Sequence, residues 1–408
     1  YKTAVNNLKT IKPDYYIKGK DYKNLKNDLS RQILVEKKTV EQYGGKILFT
    51  KSELHSSSSI ANNTFDYINN DVKKILKKID KKNFQQNLLK LTHDKIKSKI
   101  LIIGDPIIDV IKFVESSGKS NKSNNISTKY LKEEGSAGGV LLVAKFLNLF
   151  FKNITLLFCG EYKDLNKIKK YLNKDIKIAH IKTKNKLIKK IRYVDNYSNQ
   201  RLFQNNFNEK DKFSTAEELK VVNKINKLEK YYDEILLFDY GYVYSNHKLV
   251  NFVKSLSEKL TVNCQSNSYN FGYNLADKFK SGKMISMDEP ELRLIAKNRE
   301  DKIEKLIKSH AKLFKKFNYL IVTQGKKGCF LWKKGKTIHV PSVINSSVDS
   351  TGAGDIFLSM FFTFKISQNF SDYEALLGSH VAAGLHSNQI GNRFQLSVYE
   401  IHKIISSI

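Results

Sequence analysis

Asp349-Ser350-Thr351-Gly352-Ala353-Gly354-Asp355 runs directly into the apolar stretch Ile356-Phe357-Leu358-Ser359-Met360-Phe361. Small residues at a helix start let backbone N–H groups approach an anion closely, and the helix dipole adds partial positive charge there. Asp355 falls in the first predicted turn. A carboxylate so placed can take the proton of an attacking hydroxyl while the amides of Gly352, Ala353 and Gly354 hold a transferred phosphoryl group. The plain alternative is a strand–turn–helix junction that needs small residues for its geometry alone.

Outward from this junction the chain alternates strands and helices. Ile100-Leu101-Ile102-Ile103 reads as a buried strand ending at Gly104-Asp105, and Ile154 to Phe158, Ile235 to Phe238, Leu260 to Asn263, Tyr319 to Thr323 and Cys329 to Trp332 read as further strands. Helical patterns between them predict an α/β fold with a mainly parallel sheet covered on both faces. Residues 115–136 are rich in Ser, Asn and Lys and read as an exposed loop or flap. The expected boundaries are a first block over 1–64, a helical linker over 65–97 that packs one stripe, and a large domain over 98–408.

Polar clusters fall at the predicted strand ends, where open α/β sheets bind ligands. Asp109 offers a carboxylate able to accept from two neighbouring hydroxyls; a turn aspartate is the alternative. Gly138-Gly139 offers close backbone approach or simple loop geometry. Asp239-Tyr240-Gly241 and the group Asn263, Gln265, Asn267 and Ser268 read as binding groups or as turn chemistry. Asp288-Glu289-Pro290-Glu291 offers hard oxygen ligands or a dipole-favoured helix start. Thr323-Gln324-Gly325-Lys326-Lys327-Gly328 follows a strand and, on its own residues, reads as a hairpin turn with two glycines. Lys190, Arg192 and Arg201 flank one strand, as anion contacts or as a solvated basic face.

In order and spacing these segments resemble the ribokinase-like (PfkB) carbohydrate kinases, over roughly residues 98–408. The resemblance implies a three-layer sandwich with a mainly parallel central sheet and a small lid. It makes Asp355 the catalytic base, with Gly352, Ala353 and Gly354 as the anion hole. It places Asp109, Gly138, Gly139 and Asp239 at the sugar and Arg192 at a substrate phosphate. Thr323, Gly325 and Gly328 would border ATP, and Glu291 with Asp288 would organise Mg²⁺. Two positions depart from the family pattern: Leu142 stands where many members carry Asn, and Asp288 replaces the Asn of the Asn-x-x-Glu box.

Residues 11–60 resemble the C-terminal part of a cytidylyltransferase of the kind fused to heptose kinases, a partial Rossmann-like segment. The carried pieces are Lys12-Pro13-Asp14-Tyr15-Tyr16, Lys18-Gly19 with Asp21-Tyr22, Glu36-Lys37-Lys38, Gly44-Gly45-Lys46 and Ser56-Ser57-Ser58. The family's His-x-Gly-His box is absent upstream of Lys12. Nucleotidyltransferase activity is therefore not expected of this polypeptide. The reading is ATP-dependent phosphorylation of a sugar or sugar phosphate in nucleotide-sugar synthesis, with a heptose-7-phosphate-like substrate drawn from the domain pairing. The alternative is a non-catalytic module that binds sugar or nucleotide.

Among 408 residues, 71 are Lys or Arg and 40 are Asp or Glu, a net charge of +31. The lysines are spread along the whole chain and form no stripe interleaved with aromatics, so dedicated nucleic-acid binding is the weaker reading. Only 4 Pro and 20 Gly exclude collagen-like classes. No apolar run approaches membrane-spanning length; the best, Val140 to Phe151, is broken by Lys145. Cys159, Cys264 and Cys329 have no metal-type spacing and read as reduced core thiols. No signal peptide opens the chain at Tyr1, which makes a cytoplasmic location the default. A homodimer is compatible with all of this.

Overall fold

Aromatic and branched residues favour the pleated, half-buried surface of a sheet. Tyr15–Lys18 (β1) and Lys46–Phe49 (β2) pair in parallel, Tyr15 opposite Lys46. The helix Gln32–Glu41 lies between them in sequence, the crossover that a parallel pair requires. The computed structural model describes residues 4–19, 32–50, 70–119, 123–208, 212–244, 247–344, 347–392 and 396–408. It divides into two units, Tyr1–Asn70 with Ser397–Ile408, and Asp71–Leu396. In the first unit Glu36 is buried. It is ion-paired with Lys18 at 2.8 Å and accepts from the Tyr16 hydroxyl at 3.2 Å. Asp21-Tyr22 and Ser56-Ser57-Ser58 lie outside the described residues.

In the larger unit, Ile100 to Ile103 are wholly excluded from solvent. Consecutive burial means cover on both faces, the setting in which a strand reads as a continuous apolar run. They belong to Ile96–Gly104 (β3). Phe151–Gly160 (β6) and Lys177–Lys182 (β7) extend the sheet in parallel to one side of β3. Glu234–Asp239 (β10), Leu260–Cys264 (β11), Gly282–Asp288 (β12) and Phe317–Thr323 (β13) extend it in parallel to the other. Cys329–Lys333 (β14) and Lys336–Val340 (β15) finish that edge in antiparallel. The direction of winding reverses at β3, a topological switch point, so the crevice beyond its C-terminal end is where a ligand belongs.

A separate four-stranded sheet grows from that end of β3. Pro106–Lys119 (β4) pairs in antiparallel with Ile126–Gly139 (β5) and in parallel with Ile188–Asp195 (β8), and β8 pairs in antiparallel with Arg201–Phe207 (β9). This corrects the expectation of a loop or flap over 115–136: Glu115 lies opposite Lys129 and Ser116 opposite Thr128 in a strand ribbon. The polar composition disguised it. The outer half of the ribbon is exposed, so backbone pairing holds it and no apolar alternation is needed.

Within 65–97, the helices Asn70–Leu76 and Lys81–His93 form, the second starting at the Asp80 cap. From Asp71 onward these residues belong to the larger unit. Phe84 is fully buried and meets Phe364 and Phe370 edge-on at 5.9 and 5.6 Å. Phe84→Ala is expected to destabilise the larger unit by about 3–5 kcal/mol, read as a lower midpoint in urea with little change in slope. A loss below about 1 kcal/mol would mean the segment is a tether and not core. Cys159, Cys264 and Cys329 are free and buried, and burial holds their thiols above the usual range. No helix among the described residues is long and apolar enough to cross a membrane.

Candidate active site

The helix Ala353–Ser367 begins at Gly352, which adopts φ +75°. A Cβ there would lie 2.6 Å from Leu142 Cδ2 and 2.9 Å from Asn392 Oδ1, so both conformation and space demand glycine. No side chain caps this helix, whereas Ser214, Asp288 and Ser371 close capping boxes on theirs. The Ala353 amide is occupied, donating to the Ser350 carbonyl at 3.1 Å. The amides of Gly354 and Asp355, the second and third residues of the helix, have no intrahelical acceptor and face its mouth. Gly354 is the less constrained glycine, since a Cβ there would meet only Gln265 Nε2 at 3.5 Å.

Asp355 is buried beside this mouth. Its Oδ1 accepts from Asn263 Nδ2 at 2.8 Å and Gln265 Nε2 at 2.9 Å, both delivered by the end of β11. The Tyr240 hydroxyl is a third hydrogen-bond neighbour of this carboxyl. Burial pushes the Asp355 pKa up to about 7, helped by the charge of Asp109 and opposed by the hydrogen bonds from its neighbours. A carboxyl tuned to neutrality suits a general base at physiological pH.

Asp109, Gly138 and Arg192 come together on the small sheet. Arg192 Nη1 pairs with Asp109 Oδ1, and Asn392 Nδ2 donates to Asp109 Oδ2 at 2.8 Å. A Cβ on Gly138 would fall 2.0 Å from that same Oδ2. Each carboxylate oxygen keeps a further lone pair for a ligand hydroxyl. Arg192 Nε is buried with no hydrogen-bond partner among the described residues, and such a group calls for a bound polar molecule. Gly139 turns the chain at φ +53° into the helix Val140–Leu147. Lys190 lies over the Tyr242 ring at 5.3 Å.

Asp239, expected at the sugar, is fully buried at the end of β10. It is tied to Lys278 at 2.5 Å and to the Gly241 amide at 2.8 Å; its visible task is to anchor the strand end. Asp288 and Glu291 form a reciprocal cap: Glu291 N donates to Asp288 Oδ1 and Asp288 N to Glu291 Oε2, each at 2.8 Å. Glu291 Oε1 also accepts from the Ser266 amide at 2.6 Å. Burial, then the neighbouring Asp288 charge, pushes Glu291 up to about 8. Thr323 is opposite Asp288 in register. The turn that follows, with Gly325 at φ +53° and Gly328 at φ +103°, closes an antiparallel hairpin at the same sheet edge. Asp355, Asp288 and Thr323 thus share one end of the sheet, with Asp109 and Arg192 on the small sheet that grows from there.

Sequence reasoning passed over Asn392, His386 and Asp105. His386 Nε2 lies 3.0 Å from the Thr351 carbonyl and 3.2 Å from Asn392 Oδ1. Neither residue sits in a recognisable motif. Asp105 is wholly buried, with Oδ1 taking the Val243 amide at 3.1 Å; burial raises it to about 8. A carboxyl directly after a strand of isoleucines was the available signal. A cavity of about 400 Å³ opens beside the junction, lined in part by Arg201, Asp349 and Ser350.

An uncapped helix mouth, a buried carboxyl and a small second sheet thus stand together at the switch point of a parallel α/β fold. The model of the pfkB family of carbohydrate kinases matches residues 97–385, most of the chain, and the chain belongs to that family. It is 24% identical over 306 residues to the bifunctional protein HldE of Nitratiruptor sp., covering 72% of this chain and 63% of that protein. It is 23% identical over 329 residues to an uncharacterized sugar kinase of Buchnera aphidicola, covering 75% of this chain and 96% of the relative. Among solved structures, the ribokinase of Arabidopsis thaliana complexed with ribose and ATP superposes with a TM-score of 0.55 at 18% identity, over 76% of this chain and 99% of that one. The fold is ribokinase-like, and the family to which the chain belongs is one of carbohydrate kinases.

Proposed function

We propose that the chain transfers the γ-phosphoryl group of ATP to a hydroxyl of a sugar phosphate of the heptose-7-phosphate type, serving synthesis of a nucleotide-activated sugar. The observation that carries the reading is the placement of Asp355, a buried carboxyl at the mouth of an uncapped helix. Asp355 takes the proton of the attacking hydroxyl. The new oxygen–phosphorus bond forms as the bond to the ADP oxygen breaks, with the entering and leaving oxygens in line. The amides of Gly354 and Asp355 hold the phosphoryl oxygens. The turn holding Thr323, Gly325 and Gly328 borders the nucleotide.

Asp288 and Glu291 supply hard oxygens, the donor set Mg²⁺ prefers. Asp288 is exposed at the strand end and fits a hydrated ion beside the phosphates, with buried Glu291 orienting it through their reciprocal cap. Such an ion, when bound, neutralises phosphate charge.

The preference for a phosphorylated sugar is supported by the unpartnered Nε of Arg192, a buried guanidinium donor suited to a phosphate oxygen. The HldE relatives favour a heptose. The N-terminal unit is read as a nucleotidyltransferase-like segment. Its parallel β1–β2 pair with an intervening helix supports that reading.

ADP release measured over a panel of sugars and sugar phosphates tests the assignment. Turnover is expected to be fastest with a heptose 7-phosphate and at least tenfold slower with the unphosphorylated sugar. Equal or better turnover of the unphosphorylated sugar would overturn the substrate class, and no turnover on any of them would overturn the kinase reading for this chain.

A further inference from the structure

Two parts of the site must agree before chemistry can occur: the sheet that holds the sugar and the glycine junction that holds the phosphoryl group. One unbroken series of side chains joins them. Arg192 on β8 pairs with Asp109 on β4. Asn392 donates to Asp109 Oδ2 at 2.8 Å and presents its own Oδ1 to His386 Nε2 at 3.2 Å. The same Nε2 lies 3.0 Å from the carbonyl of Thr351, the residue before Gly352. Both partners of Nε2 are acceptors, so Nε2 carries the proton and donates to both. Burial holds His386 below the usual imidazole range, so it is neutral with the proton on that nitrogen. Asn392 is then fixed as well, its oxygen toward His386 and its amide nitrogen toward Asp109. Both linking side chains are buried.

The small sheet touches the junction a second time. Arg201, the first residue of β9, pairs with Asp349 and donates to Thr351 Oγ1 at 2.6 Å. Asp349 in turn accepts from the amides of Thr351 at 2.9 Å and Gly391 at 2.8 Å.

We infer that Asn392 and His386 are positioning residues that make seating of the small sheet over the sugar and formation of the anion-holding junction a single event. Arg201 is the outer latch of the same device. The purpose of the device rests on the kinase reading, but its existence does not. When Asp109 moves to meet a sugar hydroxyl, Asn392 follows, His386 shifts with it, and the Thr351 carbonyl sets the pitch at which Gly352 enters the helix. A phosphoryl group is then gripped only when the acceptor is in place, which limits transfer to water. Buried polar series of this kind act as a unit, because removing one member strands its neighbours without partners.

Amide hydrogen exchange on the full chain, without substrate, provides the test. Asn392→Ala is expected to raise exchange several-fold at residues 351–354, two links away, as well as at 107–111. His386→Phe should raise exchange at 107–111, whereas His386→Gln, which keeps a donor, should restore most of the protection. Arg201 is partly exposed, so Arg201→Gln probes the latch with the core still filled; it should loosen 349–352 together with the small sheet. In steady-state assays with the best sugar phosphate, Asn392→Ala should raise KM and lower kcat, each about tenfold, and increase ATP hydrolysis relative to transfer. Exchange changes confined to the residues each variant touches, or a change in KM alone, would overturn the inference. If the parent protein turns over no sugar, the kinase reading falls while the exchange data still decide the coupling.

Discussion

Asp355→Asn is expected to lower turnover by about 10²–10⁴-fold, the usual contribution of a positioned general base, while leaving the protein at least as stable as the parent. The amide keeps an oxygen for the donors Asn263 and Gln265 but cannot take a proton. The stability half of the prediction follows from the sign of the pKa shift. Burial raises this carboxyl from 3.8 to about 7 in the folded protein, so between these values the folded state binds more protons than the unfolded one. Stability from this group is intact below about pH 4 and is lost as pH rises toward 7. Asparagine has no charge to bury and escapes that loss. Thermal midpoints of the two proteins should coincide near pH 4 and diverge in favour of Asp355→Asn by pH 8. In the parent, kcat/KM should rise with pH and level off above about 7. A variant that loses activity and stability together would make Asp355 a structural residue.

Gly138→Ala is expected to be nearly as damaging, although it adds only a methyl group. That methyl would sit 2.0 Å from Asp109 Oδ2, the oxygen that holds Asn392. Asp109 must then swing away, breaking a buried charge-assisted hydrogen bond at a cost of about 1.5–3 kcal/mol. The carboxylate also leaves its place beside Arg192, so KM for the sugar should rise at least tenfold. Gly354→Ala is the contrasting substitution. Its new methyl makes an ordinary contact at 3.5 Å with Gln265 Nε2 and joins a helical turn that favours alanine. Its effect on urea midpoint and KM should be several-fold smaller. Equal effects of the two substitutions would count against the geometry assigned to Asp109.

The contrast between these glycines shows what sequence alone conveyed. The junction at 349–355, the buried strand ending at Gly104 and the polar strand ends were legible because backbone conformation and parallel-sheet burial leave local marks. Asp288-x-x-Glu291 was legible as a metal-organising box or as a dipole-favoured helix start, and a reciprocal cap is what its hydrogen bonds display. Asp239 read as a binding group, yet its carboxylate is engaged by Lys278, a partner 39 positions away that no local pattern signals. Asn392 and His386 were illegible for the same reason, since their meaning lies in contacts with Asp109 and Thr351 across the fold. The ribbon over 115–136 was misread because its outer half faces solvent on both sides and so carries no period-two pattern.

The central claim is that this chain moves a phosphoryl group from ATP to a sugar-phosphate hydroxyl through Asp355. Phosphorus NMR of the full chain with ATP, Mg²⁺ and a heptose 7-phosphate follows every phosphorus directly. The account predicts one new sugar phosphoryl resonance for each ADP formed, and neither resonance with Asp355→Asn. ADP accumulating with inorganic phosphate while the sugar phosphate stays unchanged, or transfer that survives in Asp355→Asn, would contradict it.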